Sequence, residues 1–126
     1  MLLIIIAFIV IFSVVIFVHE LGHFYFARRA GVRVEEFGFG LPPRLWGRKK
    51  GDTIYSLNLI PFGGFVRLYG EGDEFLKDKW AFSSKTPLAK LTVVVGGVLL
   101  NIVFGFVAMM IGFWASMPPL VTPIEQ

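Results

Sequence analysis

Two long apolar stretches bracket a polar middle. Residues 2–18 are broken only by Ser13, and apolar character continues through to Ala27. Residues 92–115 carry no charge at all. A hydrocarbon core is crossed by about 20 such residues on a helix. The pattern therefore predicts a transmembrane helix over 1–27 and another over 91–117. A cleaved signal peptide competes for the first stretch, but it would want a basic start and an apolar core of only ~7–15 residues. No basic residue precedes Arg28.

The middle, 28–90, changes character several times. Residues 31–45 hold Gly38, Gly40, Pro42 and Pro43 and read as a loop. Residues 52–69 read as a β-hairpin, with strand formers over 53–59, turn chemistry at 61–64 and a second strand over 65–69. Residues 70–90 are mixed in charge and read as a solvated connector, with a short amphipathic piece around Phe75-Leu76 and 80–82. Ser84-Lys85-Thr86-Pro87 reads as a helix start, because proline is tolerated in a first turn. Residues 118–126 form a short polar tail. The expected fold is an α-helical membrane protein: two transmembrane helices joined by a segment that carries a membrane-associated hairpin.

Charge adds an orientation. All 12 Lys and Arg residues lie between Arg28 and Lys90. The positive-inside rule then makes the central segment cytoplasmic and both termini extracytoplasmic, in a multi-pass protein of the inner (plasma) membrane. The basic run Arg44, Arg48, Lys49, Lys50 with Trp46 suits lipid headgroups better than nucleic acid. With no cysteine in the chain, thiolate metal ligation is excluded.

The candidate chemistry lies near the end of the first apolar stretch. His19-Glu20-Leu21-Gly22-His23 contains the only two histidines of the chain. Residues four apart share one helix face, so His19 and His23 can grip one zinc ion while Glu20 acts on a water. Their shared face rules out axial haem ligation, which needs approach from opposite sides. At 1.5 Å per residue, His23 lies about 7 Å and His19 about 13 Å before Arg28, below the headgroups. An unpaired Glu20 at that depth costs about 3 kcal/mol, which marks the cluster as functional. In the second stretch Gly97, Asn101 and Gly105 recur every four residues, a face suited to close helix packing and to a hydrogen bond from Asn101.

Those residues, in that order, resemble the amino-terminal part of the site-2 proteases, the intramembrane zinc metalloproteases, most of all the bacterial branch that cleaves anti-sigma factors. The resemblance rests on His19-Glu20-Leu21-Gly22-His23, on Ala27-Arg28-Arg29-Ala30-Gly31-Val32, on Phe37-Gly38-Phe39-Gly40 and on Leu59-Ile60-Pro61-Phe62-Gly63-Gly64-Phe65-Val66. It implies zinc held by His19 and His23, Glu20 as general base, and a transmembrane protein as substrate within the lipid bilayer. It also implies that the hairpin presents a strand edge to that substrate, with Asn58, Gly63, Gly64 and Asn101 as substrate-binding residues.

Two departures stand out. Gly97-Val98-Leu99-Leu100-Asn101 has Val98 where the family's motif has proline. The family's later Leu-Asp-Gly motif, source of the third zinc ligand, does not occur, so the chain is expected to be an amino-terminal fragment whose carboxy-terminal part completes the site. The missing ligand also motivates a competing reading, a non-catalytic two-helix membrane module or pseudoenzyme half that binds a partner. A metal-transport segment would use the two histidines but leaves the hairpin without a role.

Overall fold

The computed structural model describes residues 1–72 and 76–116. The chain runs α1 (Leu2–Arg29), β1 (Val34–Lys50), β2 (Thr53–Leu68) and α2 (Pro87–Ser116). The expected tail at 118–126, the end of the second helix at 117, and Phe75 lie outside the described residues.

Both helices are long and apolar enough to cross a membrane. α1 ends where Gly31 takes a left-handed conformation, φ 70°. Val32 N–H reaches Ala27 O at 2.9 Å and Gly31 N–H reaches Arg28 O at 3.1 Å, the paired bonds of a glycine-stopped helix. α2 opens as the sequence predicts, with Thr86 Oγ1 accepting from Ala89 N–H at 3.3 Å and Pro87 in the first turn. A small core of Ala27, Val32, Val34, Leu68 and Val93 ties the two helices to the sheet near these ends.

The helices meet through glycine. A Cβ added at Gly22 would strike Gly96 O and come within 2.7 Å of Gly97 Cα, so the backbones are in direct contact there. This is the close approach expected of small residues between membrane helices. Gly97 and Asn101 lie in that contact, whereas Gly105 faces no described atom within 4 Å. The expected packing face therefore stops before Gly105.

The sheet differs from the expectation in position. β1 and β2 pair antiparallel, and Lys50 opposite Thr53 closes a two-residue turn at Gly51-Asp52 with Gly51 at φ 63°. Both predicted strands, 53–59 and 65–69, fall in β2 except for Tyr69, and the predicted turn at 61–64 is a bend inside it. Its partner β1 covers most of the predicted loop. Phe37, Gly38 and Phe39 each have two partners, one in each half of β2, so this part of β1 lies between them. The connector is less free than expected: Arg33 N–H bonds Trp80 O, and Phe82 N–H bonds Tyr69 O, each at 2.9 Å.

The bend of β2 is laid against α1. Phe62 packs on Phe12 with centroids 5.4 Å apart and planes tilted by 42°, and a Cβ at Gly63 would sit 2.7 Å from Ile16. Phe12 precedes Arg28 by 16 residues, about 24 Å of helix. Asn58 supplies hydrogen bonds inside this bend, its Nδ2 donating to Phe39 O at 3.1 Å and Gly40 O at 3.3 Å. At the other end of the sheet Glu36 is buried, with Arg44 at 2.7 Å and Arg67 at 3.4 Å.

Burial raises the Glu36 pKa, but hydrogen bonds from Ser56 and Arg44 and the charges of Arg44 and Arg67 outweigh it, leaving the value below that of an ordinary glutamate. The stabilisation is therefore complete above the unfolded value, roughly 4.3, and is lost as pH falls through the lowered folded value. Both arginines are partly exposed, which screens the pairs. Glu36→Gln should cost about 1 kcal/mol at neutral pH. It should also remove the acid-side loss of protection in hydrogen exchange of the strand amides. Wild type and variant losing protection in parallel as pH falls would refute this role.

Candidate functional site

The site is built from one face of α1 and one row of α2. His19 and His23, one turn apart, have ring centroids 4.6 Å apart and planes at 87°. With Glu20 they form a group whose potential ligand atoms lie within 4.8 Å of one another, all three residues half-buried. The helix brings these three sequence candidates close together.

α2 supplies the partners of both rings. Val93, Gly97 and Asn101 are spaced by four and lie along one row of the helix. His23 Nδ1 is 2.8 Å from Val93 O. A carbonyl oxygen only accepts, so Nδ1 carries the proton and Nε2 keeps its lone pair. Such a bond fixes ring orientation and tautomer in metal-ligating histidines. Asn101 Nδ2 lies 3.3 Å from His19 Nδ1. Since His23 meets Val93 and His19 meets Asn101, the two rows run antiparallel. Gly97 is between them: a Cβ there would be 2.8 Å from His19 Cε1, His19 Nε2 and His23 Cε1.

The donor chemistry fits a zinc-like ion. Two imidazoles and a carboxylate converge, one imidazole already has its ligand nitrogen freed by a backbone carbonyl, and the floor beneath them has no side chain. Zinc held for catalysis generally has three protein ligands, and these residues offer two imidazoles and one carboxylate. A cleft of about 470 Å³ opens beside them, lined by Glu20, His23, Val66, Leu68, Glu71, Phe82, Val93 and Val94. Glu71, within the segment whose sequence reads as a solvated connector, lines this cleft together with Glu20.

The remaining sequence candidates are distributed differently. Asn101 touches His19. Gly63 and Gly64 press on Ile16 and Phe17 of α1, within a turn of His19 along the chain. Asn58 is buried in the sheet and spends its NH2 on strand carbonyls and on Ser56.

A His-Glu-x-x-His helix with both rings seated on a neighbouring helix has the donor set of a metallopeptidase-type centre. Comparison with known proteins gives the family. The model of Peptidase family M50 matches residues 7–125, and the chain belongs to that family, the site-2 proteases. A protein of Clostridium perfringens named as a zinc metalloprotease is 43% identical over 117 residues, covering 89% of this chain and 35% of the relative. The zinc metalloprotease RasP of Shouchella clausii is 53% identical over 68 residues, 54% of this chain and 16% of its own length. The regulator of sigma-W protease RasP of Bacillus subtilis is 47% identical over 75 residues, 60% of this chain and 18% of its own. The chain thus spans about a third or less of the length of these relatives.

Gly97 gives a direct test of the seating. Gly97→Ala should weaken Zn²⁺ binding by about tenfold or more, the cost of overpacking a tight contact. Gly105→Ala, in open space, should leave it unchanged. Titration of both purified variants with Zn²⁺ reads the difference, and equal affinities would remove Gly97 from the site.

Proposed function

We propose that the protein carrying this chain is an intramembrane zinc metalloendopeptidase that cleaves membrane-anchored proteins, anti-sigma factors among them. The observation that carries the reading is the convergence of His19, Glu20 and His23 inside a helix apolar enough to span a bilayer. Membership of Peptidase family M50 and the names of the relatives support it.

His19 and His23 would hold zinc, with a third ligand from a later helix of the full protein. Bound there, zinc supplies Lewis acidity that polarises a carbonyl and makes a water acidic near neutral pH. Glu20 takes the proton from the attacking water and delivers it to the leaving nitrogen. A helical substrate has its backbone groups bonded internally and has to unwind before attack. The hairpin edge offers replacement bonds by strand addition. Asn58, Gly63 and Gly64 serve this by shaping the bend and seating it beside the metal-binding turn.

The hairpin enters the membrane from the cytoplasmic side. Phe62 packs on Phe12, well into the apolar run of α1, while Arg48, Lys49 and Lys50 flank the exposed turn. Leu45 and Trp46, 62% and 60% exposed, sit next to those charges and suit the headgroup region.

Glu20→Gln should lower cleavage of a membrane-anchored substrate by about 10²–10⁴-fold while leaving bound zinc unchanged. Undiminished cleavage would instead favour the non-catalytic module. Topology is testable separately, because the chain has no cysteine. A cysteine introduced by Lys49→Cys should resist a membrane-impermeant maleimide on intact cells and react once the membrane is opened. Labelling on intact cells would reverse the orientation.

A further inference from the structure

We propose that Asn101 is a positioning residue that holds His19 in the Nδ1–H tautomer by accepting through its side-chain carbonyl oxygen. The inference deepens the zinc reading above and rests on it.

Asn101 Nδ2 faces His19 Nδ1 at 3.3 Å, and Asn101 Oδ1 is buried without a partner among the described residues. An amide nitrogen donates, so in this orientation Nδ1 would accept and the ring proton would sit on Nε2. His19 would then have no free nitrogen for a metal. The oxygen and nitrogen of an amide have nearly the same shape, and their placement follows from the hydrogen-bond network. Turning the amide by half a turn puts Oδ1 on Nδ1–H and frees Nε2.

Burial does not choose between the two orientations, because each leaves one group of the amide without a partner. The metal does choose: only the turned amide allows His19 to ligate through Nε2. His23 supplies an internal precedent. Its Nδ1 already faces an acceptor that cannot be turned around, the backbone carbonyl of Val93 at 2.8 Å. With the amide turned, both imidazoles donate from Nδ1 to the same row of α2, and both present Nε2. Gly97, with no side chain, lies against His19 Nε2 and the Cε1 atoms of both rings, where a Cβ would come within 2.8 Å of each.

The test uses the purified protein in lipid nanodiscs, with Asn101→Leu and Asn101→Asp. Asp keeps an acceptor in nearly the same place; Leu has none. In metal-free samples the ¹⁵N imidazole spectrum should show His19 protonated at Nδ1 in wild type and Asn101→Asp. In Asn101→Leu it should lose that preference while His23 keeps its own. Zn²⁺ titration should show Asn101→Leu weakened by about 10–100-fold and Asn101→Asp within roughly threefold of wild type. A merely structural role would shift both histidines or neither. His19 unprotonated at Nδ1 in wild type, or Asn101→Asp binding as weakly as Asn101→Leu, would overturn the proposal. Wild type with the Nδ1–H tautomer but no Zn²⁺ affinity would instead overturn the zinc reading, since the tautomer is measured without metal.

Discussion

The contact between the backbones of α1 and α2 is the constraint on which the site depends. Between helices in lipid there is no hydrophobic force to exploit, so association rests on close packing and hydrogen bonds. Gly22 meeting Gly96 and Gly97 provides the packing. The same closeness brings the carbonyl of Val93 within reach of an imidazole. In a regular helix that carbonyl also accepts from the N–H of Gly97. Its second lone pair is free, but it can be approached only because Gly97 has no side chain to cover it. One glycine therefore serves both the helix contact and the orientation of the His23 ring.

The sheet is organised along its length more than across its faces. Its turn end carries Arg48, Lys49 and Lys50 and, beside them, the buried Glu36 with its two arginines; its bend carries Phe39, Leu57 and Ile60. Such a gradient matches an element that begins in water and ends in hydrocarbon. Non-helical backbone at that depth is tolerated only where its polar groups are bonded within protein. Asn58 does this for Phe39 O and Gly40 O, near the bend.

This gradient also explains what the sequence made legible and what it hid. The two long helices and the His-Glu-x-x-His cluster could be read directly, because length, apolar content and a four-residue spacing are local signals. The position of the hairpin could not. Gly38, Gly40, Pro42 and Pro43 look like loop residues, yet β1 runs through them, with irregular register where it passes the bend of β2. Pro61-Phe62-Gly63-Gly64 carries strong turn chemistry, yet those glycines serve contact with Ile16 and Phe17. The actual turn, Gly51-Asp52, follows a basic run and carries a weaker local signal. Pairing across the sheet and contact with α1, both long-range, outweighed the local turn signals. The role of Gly97 was half visible: its spacing marked a packing face, but only the structure shows which rings occupy it.

Membrane depth sharpens the need for partners around the two rings. In water an imidazole N–H that lacks a protein partner is solvated at little cost. Inside an apolar span it is not, and an unpaired polar group there is expensive. Each ring at the depth of His19 and His23 therefore needs an acceptor on one nitrogen whether or not metal is bound. A helix that meets this need at Nδ1 of both rings leaves two lone pairs in place before any ion arrives. The requirement that keeps the helix stable in the bilayer is then the same one that prepares it to ligate. Val93 meets it with a backbone group that no substitution can remove, whereas at Asn101 it depends on the side chain alone. Of the two ring contacts, the one at His19 is the one sequence change can readily undo.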